Sequence, residues 1–317
     1  MRDKDVDSVK GLLIFLVVLG HFLEKSLAWG NELNRIVLST IYFIHMPAFI
    51  FISGMFFKAH GLVDKLVYFL SLLIPFQIAY VAFHLYLTEQ SWSWAWFKMP
   101  YWILWYLCGM IAWCILTPLL KRTGLPVLIA IFLSILIGFS NFNNYLYSIG
   151  RILTFLPFFV IGHLYGAQLF QQLKSDIKYK WLGIVTLALI IFISMSGKVS
   201  HAWLYGSFSF AQMAIDPWLG SVKRLLIFIM SLAGVFALFS LTPWFRNKWM
   251  SLGQHTLPIY LLHGFVVILA ARYIPFPNTF TFNLLFCILL SLLTCWMLKQ
   301  NVFERMIKLM TGVFRFK

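Results

Sequence analysis

The chain reads as a succession of long apolar runs separated by short polar hinges. Ten runs stand out, at 10–29, 36–58, 62–87, 100–120, 125–140, 151–170, 181–196, 222–241, 255–274 and 280–299. A helix of roughly 20 apolar residues spans the hydrocarbon core of a bilayer, and most of these runs approach or exceed that length. The pattern predicts an all-α membrane protein, a polytopic bundle of about ten transmembrane helices. No internal repeat, low-complexity tract or long linker divides the chain, so the expectation is a single domain over 1–317.

Composition sharpens this. The 317 residues are 61% hydrophobic and 11% charged, whereas soluble domains run near about 45–50% apolar and about 25% charged. A soluble globular enzyme is excluded, and any chemistry must sit inside the bundle. The net charge of +15 looks at first like a nucleic-acid signal. No basic cluster is interleaved with polar aromatic platforms, however, and Lys and Arg sit between the apolar runs, as topology determinants do. Placing the N-terminus inside puts most of the 25 cations on the cytoplasmic side, and an even number of spans places both termini there. Cys108, Cys114, Cys287 and Cys295 lie within apolar runs without a CxxC pair; they read as core residues, not as disulfide or metal ligands. His21, Glu24 and Lys25 interrupt the first run, which favours a retained helix over a cleaved leader.

The first helix carries the most informative polar residues. A helix turns about 100° and rises about 1.5 Å per residue. Asp7, Lys10, His21 and Glu24 therefore share one stripe, with Lys10 and His21 about 20° apart around the axis and roughly 16 Å apart along it. The stripe begins with a cation and its carboxylate neighbour, crosses apolar positions and ends on an imidazole at membrane depth. Ionisable groups at that depth usually face a cavity or a partner. The bland alternative is a hydrogen-bonded core histidine with Lys10 snorkelling to the headgroups. The second run weighs against it: Phe43-Ile44-His45-Met46-Pro47 puts a second histidine at a similar depth, and Pro47 is expected to loosen the helix and free a carbonyl. The loop at 197–221, with His201, Trp203, Tyr205, Ser207 and Trp218, suits either sugar stacking or an interfacial aromatic belt.

These residues resemble a known family. Asp7-x-x-Lys10-Gly11 followed by His21 is similar to the signature of the acyltransferase-3 family of integral membrane O-acyltransferases. Phe43 to Gly54 resembles its second-helix motif, Trp105-Tyr106-Leu107 its aromatic motif, and Ser251-Leu252-Gly253 through Tyr260 to His263 its ninth-helix motif. Arg151 with Leu156-Pro157-Phe158-Phe159 and Gly162 is similar to the fucose 4-O-acetylase-like branch. Many relatives have arginine where this chain has Lys10, and lysine cannot form a bidentate fork.

The resemblance implies transfer of an acyl group, commonly acetyl from cytoplasmic acetyl-CoA, to a hydroxyl of a cell-surface or lipid-linked carbohydrate, in a bacterial cytoplasmic membrane and with no metal. His21 is then the expected general base or transient acyl carrier, with Glu24, or less favourably Asp7, orienting it. Lys10 beside Asp7, with Arg2, Lys4 or Lys65, is expected to attract the phosphates of CoA. His45, Ser53, Trp105, Tyr106, Arg151, Tyr260 and His263 are candidates for positioning or oxyanion stabilisation. For Ser53-Gly54 a small-residue helix contact is at least as good a reading. Intramembrane histidines beside a proline also occur in proton-coupled transporters and flippases, which makes such a carrier the competing expectation.

Overall fold

The computed structural model describes residues 3–141 and 144–312; Arg2 lies outside them. The regular elements among these residues are helices: α1 Lys4–Ser26, α2 Glu32–Phe56, α3 Leu62–Thr88, α4 Trp105–Lys121, α5 Pro126–Leu136, α6 Ile149–Ser175, α7 Ile177–Met195, α8 His201–Tyr205, α9 Pro217–Ser240, α10 Thr242–Phe245, α11 Met250–Gln254, α12 Thr256–Tyr273, α13 Phe280–Leu298 and α14 Asn301–Gly312. Among the described residues, nine helices are long and apolar enough to cross a membrane. The fifth apolar run becomes the shorter helix α5, extended to Phe139 by a 3-10 turn. The protein is an all-α polytopic membrane bundle.

α1 begins earlier than the apolar pattern implies. Asp3 caps it by accepting a 2.9 Å hydrogen bond from the Asp5 amide, and the helix runs on through Asp5 and Asp7, both buried. Buried carboxylates need partners. Arg246 Nε donates to Asp5 at 2.6 Å and Lys174 Nζ at 2.8 Å, which ties the start of α1 to the ends of α6 and α10.

α2 departs from expectation in the other direction. It runs unbroken from Glu32 to Phe56 with Pro47 inside it. Proline removes one donor, so the carbonyl of Phe43 loses its usual partner four residues on. That carbonyl instead faces α9 at Gly234, where an added Cβ would lie 3.0 Å from it. Packing of neighbouring helices around the freed group tolerates the proline without a break.

Glycine sets the closest helix contacts. A Cβ on Gly54 of α2 would stand 2.1 Å from the Phe159 carbonyl of α6, and one on Gly162 of α6 would stand 2.0 Å from the Phe51 carbonyl of α2. α1 and α11 repeat the device: a Cβ on Gly11 would meet the Trp249 carbonyl at 2.0 Å and one on Gly253 the Asp7 carbonyl at 1.7 Å. Small residues let backbones approach where apolar side chains gain little from leaving lipid.

The resulting bundle is centred on α1. Its most apolar stretch is 78% buried, against 17% for α7. Large apolar side chains such as Trp181, Phe192, Phe282 and Trp296 are exposed on the outer helices, as a lipid-facing surface requires. The ionisable residues of α1 therefore lie at the centre of the bundle.

Candidate active site

Two chambers meet at His21. The first is an apolar cavity of about 200 Å³ extending from His21 toward the N-terminal end of α1, lined by Ile14, Val17, Phe49, Tyr106, Met110, Tyr260 and His263 among others. The second, about 130 Å³, extends the opposite way and is lined by Glu24, Tyr42, His45, Trp102, Arg151 and Tyr205. His21, Met46 and Trp105 line both. The i, i+3 and i+4 spacing of Ile14, Val17 and His21 puts them on one face of α1, and that face forms one continuous wall.

The hydrogen bonds assign the state of each imidazole. His21 Nδ1 stands 3.0 Å from Glu24 Oε2. An ionised carboxylate only accepts, so Nδ1 carries the proton, and a neutral ring in that tautomer has its lone pair on Nε2. His45 Nδ1 donates to the Ile41 carbonyl at 2.8 Å. His263 Nδ1 donates to the carbonyls of Ile259 and Tyr260 at 2.9 and 2.8 Å. Both rings thus also present a bare Nε2, and that of His263 is buried without a partner among the described residues. The His263 ring stacks on His21 with centroids 5.4 Å apart, and Trp102 abuts the same imidazole edge-on at 4.5 Å.

Glu24 is held from several sides. Tyr205 donates to its Oε1, and Trp29 Nε1 donates to the same oxygen at 3.3 Å and to the Tyr205 hydroxyl at 2.9 Å. Burial, then the nearby carboxylate, pushes the Tyr205 phenol well above its ordinary range, so it remains a donor. The Tyr42 ring packs between His45 and Tyr205, with centroids 4.6 and 5.5 Å away.

Arg151 supplies the cation of the polar chamber. Its Nε donates to Ser207 Oγ at 2.6 Å. Its guanidinium carbon lies 5.2 Å from the Trp105 ring centre and 5.5 Å from that of Tyr205, within cation–π range. It forms no ion pair with a described carboxylate.

The other sequence candidates are placed unevenly. The Tyr260 hydroxyl donates to the Ile103 carbonyl at 2.7 Å. Ser53 Oγ donates to the Phe49 carbonyl at 2.8 Å and lies 2.6 Å from the Tyr106 hydroxyl, so both hydroxyl hydrogens are committed. A neutral His45 or His263, with Nδ1 bonded to carbonyls of its own helix, presents an acceptor, not a donor, at Nε2. All five side chains, Tyr260, Ser53, Tyr106, His45 and His263, shape or support the chamber walls. Lys10 and Asp7 lie outside the lining; Lys10 Nζ is 3.7 Å from Asp7 Oδ1, one helical turn beyond Ile14 on the same face. Among the described residues no group of three His, Cys, Asp or Glu side chains could hold a metal ion.

Sequence reasoning missed Tyr42, Trp102 and Trp29 as site residues. Tyr42 carried a faint signal, three residues before His45 on the same helix. Tyr205 and Ser207 lay in the aromatic loop after α7, which the structure folds over the polar chamber.

Comparison with known proteins gives the family of the chain. The profile of a family described as "Acyltransferase domain" matches residues 3–299. The chain is 24% identical over 290 residues to Nodulation protein NolL of Mesorhizobium japonicum, covering 84% of this chain and 76% of that protein. It is 26% identical over 310 residues to Nodulation protein NolL of Sinorhizobium fredii, covering 84% and 78%. No solved structure matches.

Proposed function

The chain belongs to this acyltransferase family, and from that premise we propose that it moves an acyl group, acetyl in the simplest case, from acyl-CoA to a carbohydrate hydroxyl through His21. The observation that carries the reading is the position of His21 between two chambers, one lined almost wholly by apolar side chains and one that also carries Glu24, Arg151 and Tyr205, with its Nδ1 bonded to Glu24. The apolar chamber suits the uncharged pantetheine arm of the donor and brings its thioester to Nε2. The polar chamber, with Arg151, Tyr205 and aromatic rings, suits a sugar, free or lipid-linked. The likeness of the Arg151–Gly162 segment to fucose 4-O-acetylases supports the same acceptor class. Lys10, beside Asp7, contributes positive charge at the end from which the donor comes. The setting proposed is a bacterial cytoplasmic membrane with both termini cytoplasmic.

In the chemical step Nε2 of His21 takes the proton from the acceptor hydroxyl as its oxygen attacks the thioester carbonyl. The C–S bond breaks as the new ester C–O bond forms, and the thiolate of CoA collects the proton from the imidazolium. Glu24 stabilises that imidazolium and keeps the ring in the tautomer that leaves Nε2 bare. A two-stage variant, in which Nε2 itself carries the acyl group between the chambers, uses the same atom.

Surface and secreted polysaccharides from cells with and without the gene test the reading by mass spectrometry. Loss of one acyl mass from a defined sugar is expected on deletion. Unchanged polysaccharide, together with solute uptake that depends on the protein, contradicts it and favours a proton-coupled carrier or flippase.

A further inference from the structure

A third cavity, of about 370 Å³, opens at the same end of the bundle as the start of α1 and lies between α3, α11, α12 and α14. It shares Tyr68, Thr256 and Leu257 with the apolar chamber, so the two adjoin across these side chains. Its character is different. At its mouth Lys308 Nζ lies 2.8 Å from Glu304 Oε1, and His255 Nδ1 lies 3.2 Å from Glu304 Oε2.

We propose that this mouth binds the phosphate-bearing part of the acyl-CoA donor through Lys308 and His255, and that Glu304 occupies those groups as an internal anion until the donor displaces it. The proposal rests on the acyl-CoA reading above and adds a site to it. Acyl-CoA joins a multiply charged nucleotide end to a long uncharged arm. The cavities repeat that division, with charged groups at the mouth and apolar walls beyond. Lys308 and His255 both point their donors at one carboxylate, the geometry that a phosphate would also satisfy. The Lys308 side chain is 72% exposed and that of Glu304 36%, so an incoming anion can compete for the cation. The ion pair with Lys308, followed by that with His255, holds the Glu304 carboxyl below its usual range, which keeps it charged at neutral pH. Ile307 and Thr311, buried on α14, line the same cavity as Glu304 and Lys308 and anchor the helix beside the mouth. Lys10, by contrast, lines none of the three cavities.

The test is isothermal titration of CoA, and separately of pantetheine, into the full-length protein in nanodiscs of zwitterionic lipid. Lys308→Gln and His255→Gln are each expected to weaken CoA binding about tenfold, the loss of one charge-assisted hydrogen bond. Glu304→Gln should tighten it several-fold, and pantetheine binding should not move. Opposite responses from two substitutions one turn apart on an exposed helix face separate this from a folding defect. Unchanged CoA affinity in all three variants, or an equal change for pantetheine, overturns the proposal. Variants that lose added phosphatidylglycerol but keep CoA assign the mouth to lipid headgroups and overturn it too. Wild-type protein that ignores CoA would remove the acyl-CoA reading, and this site with it; wild-type binding with indifferent variants removes the site alone.

Discussion

Glu24 accepts hydrogen bonds from His21, Tyr205 and Trp29, and the three differ in what they fix. The bond from His21 sets the tautomer; those from Tyr205 and Trp29 set the carboxylate that sets it. Glu24→Gln keeps an acceptor but removes the charge that stabilises the imidazolium. We expect kcat to fall roughly a hundredfold or more with little change in donor KM, checked by initial rates at matched membrane abundance. Tyr205→Phe removes one donor to a charged group, worth about 1.5–3 kcal/mol, and should lower kcat about tenfold or more without changing the site of acylation. At this scale the sequence was legible where spacing alone decides contact. His21 and Glu24 lie three apart on one helix, so their meeting follows from helical pitch. Tyr205 reaches Glu24 from a loop 181 positions away, and no local pattern encodes that meeting. The partners of His45 and His263 were not legible either, because each ring bonds backbone carbonyls of its own folded helix.

The elements were legible because hydrophobic length sets them. All ten apolar runs became helices, with ends shifted by a few residues where caps or charged partners act. Asp3 and the Arg246–Asp5 pair extend α1 backward beyond the apolar pattern. Pro47 leaves α2 uninterrupted, and Gly234 lets α9 close over the carbonyl that the proline frees. The small-residue reading of Ser53-Gly54 corresponds to a close backbone approach between α2 and α6. Gly54→Ala or Gly162→Ala forces a methyl into a backbone carbonyl about 2 Å away. Overpacking of this kind costs about 1–3 kcal/mol, and detergent-solubilised protein should show a lower unfolding temperature in a thermal-shift assay. Gly30→Ala, where a Cβ meets nothing within 4 Å, should leave that temperature unchanged. The short elements α8, α11 and α14 gave no apolar run, and the mouth of the donor route was hidden with them.

At the scale of the whole molecule, the ionisable line on α1 lies at the centre because α1 is the most enclosed helix, and the cavities run along it. In the proposed route a donor approaching the end that holds the start of α1 would pass the α14 mouth, then apolar walls, then His21. In the same proposal an acceptor would reach that imidazole from the opposite chamber, beneath the segment that carries Tyr205. Positive charge at the donor end should matter for capture more than for chemistry: Lys10→Ala is expected to raise donor KM severalfold with kcat nearly unchanged, read from saturation curves in acetyl-CoA. Everything in this route converges on one nitrogen. Membranes carrying wild-type or His21→Ala protein at equal abundance, incubated with labelled acetyl-CoA and extracted for glycan, measure that convergence directly. The account predicts labelled glycan from the wild type and a loss of at least about a hundredfold in the variant; labelling by the variant at the wild-type rate would contradict it.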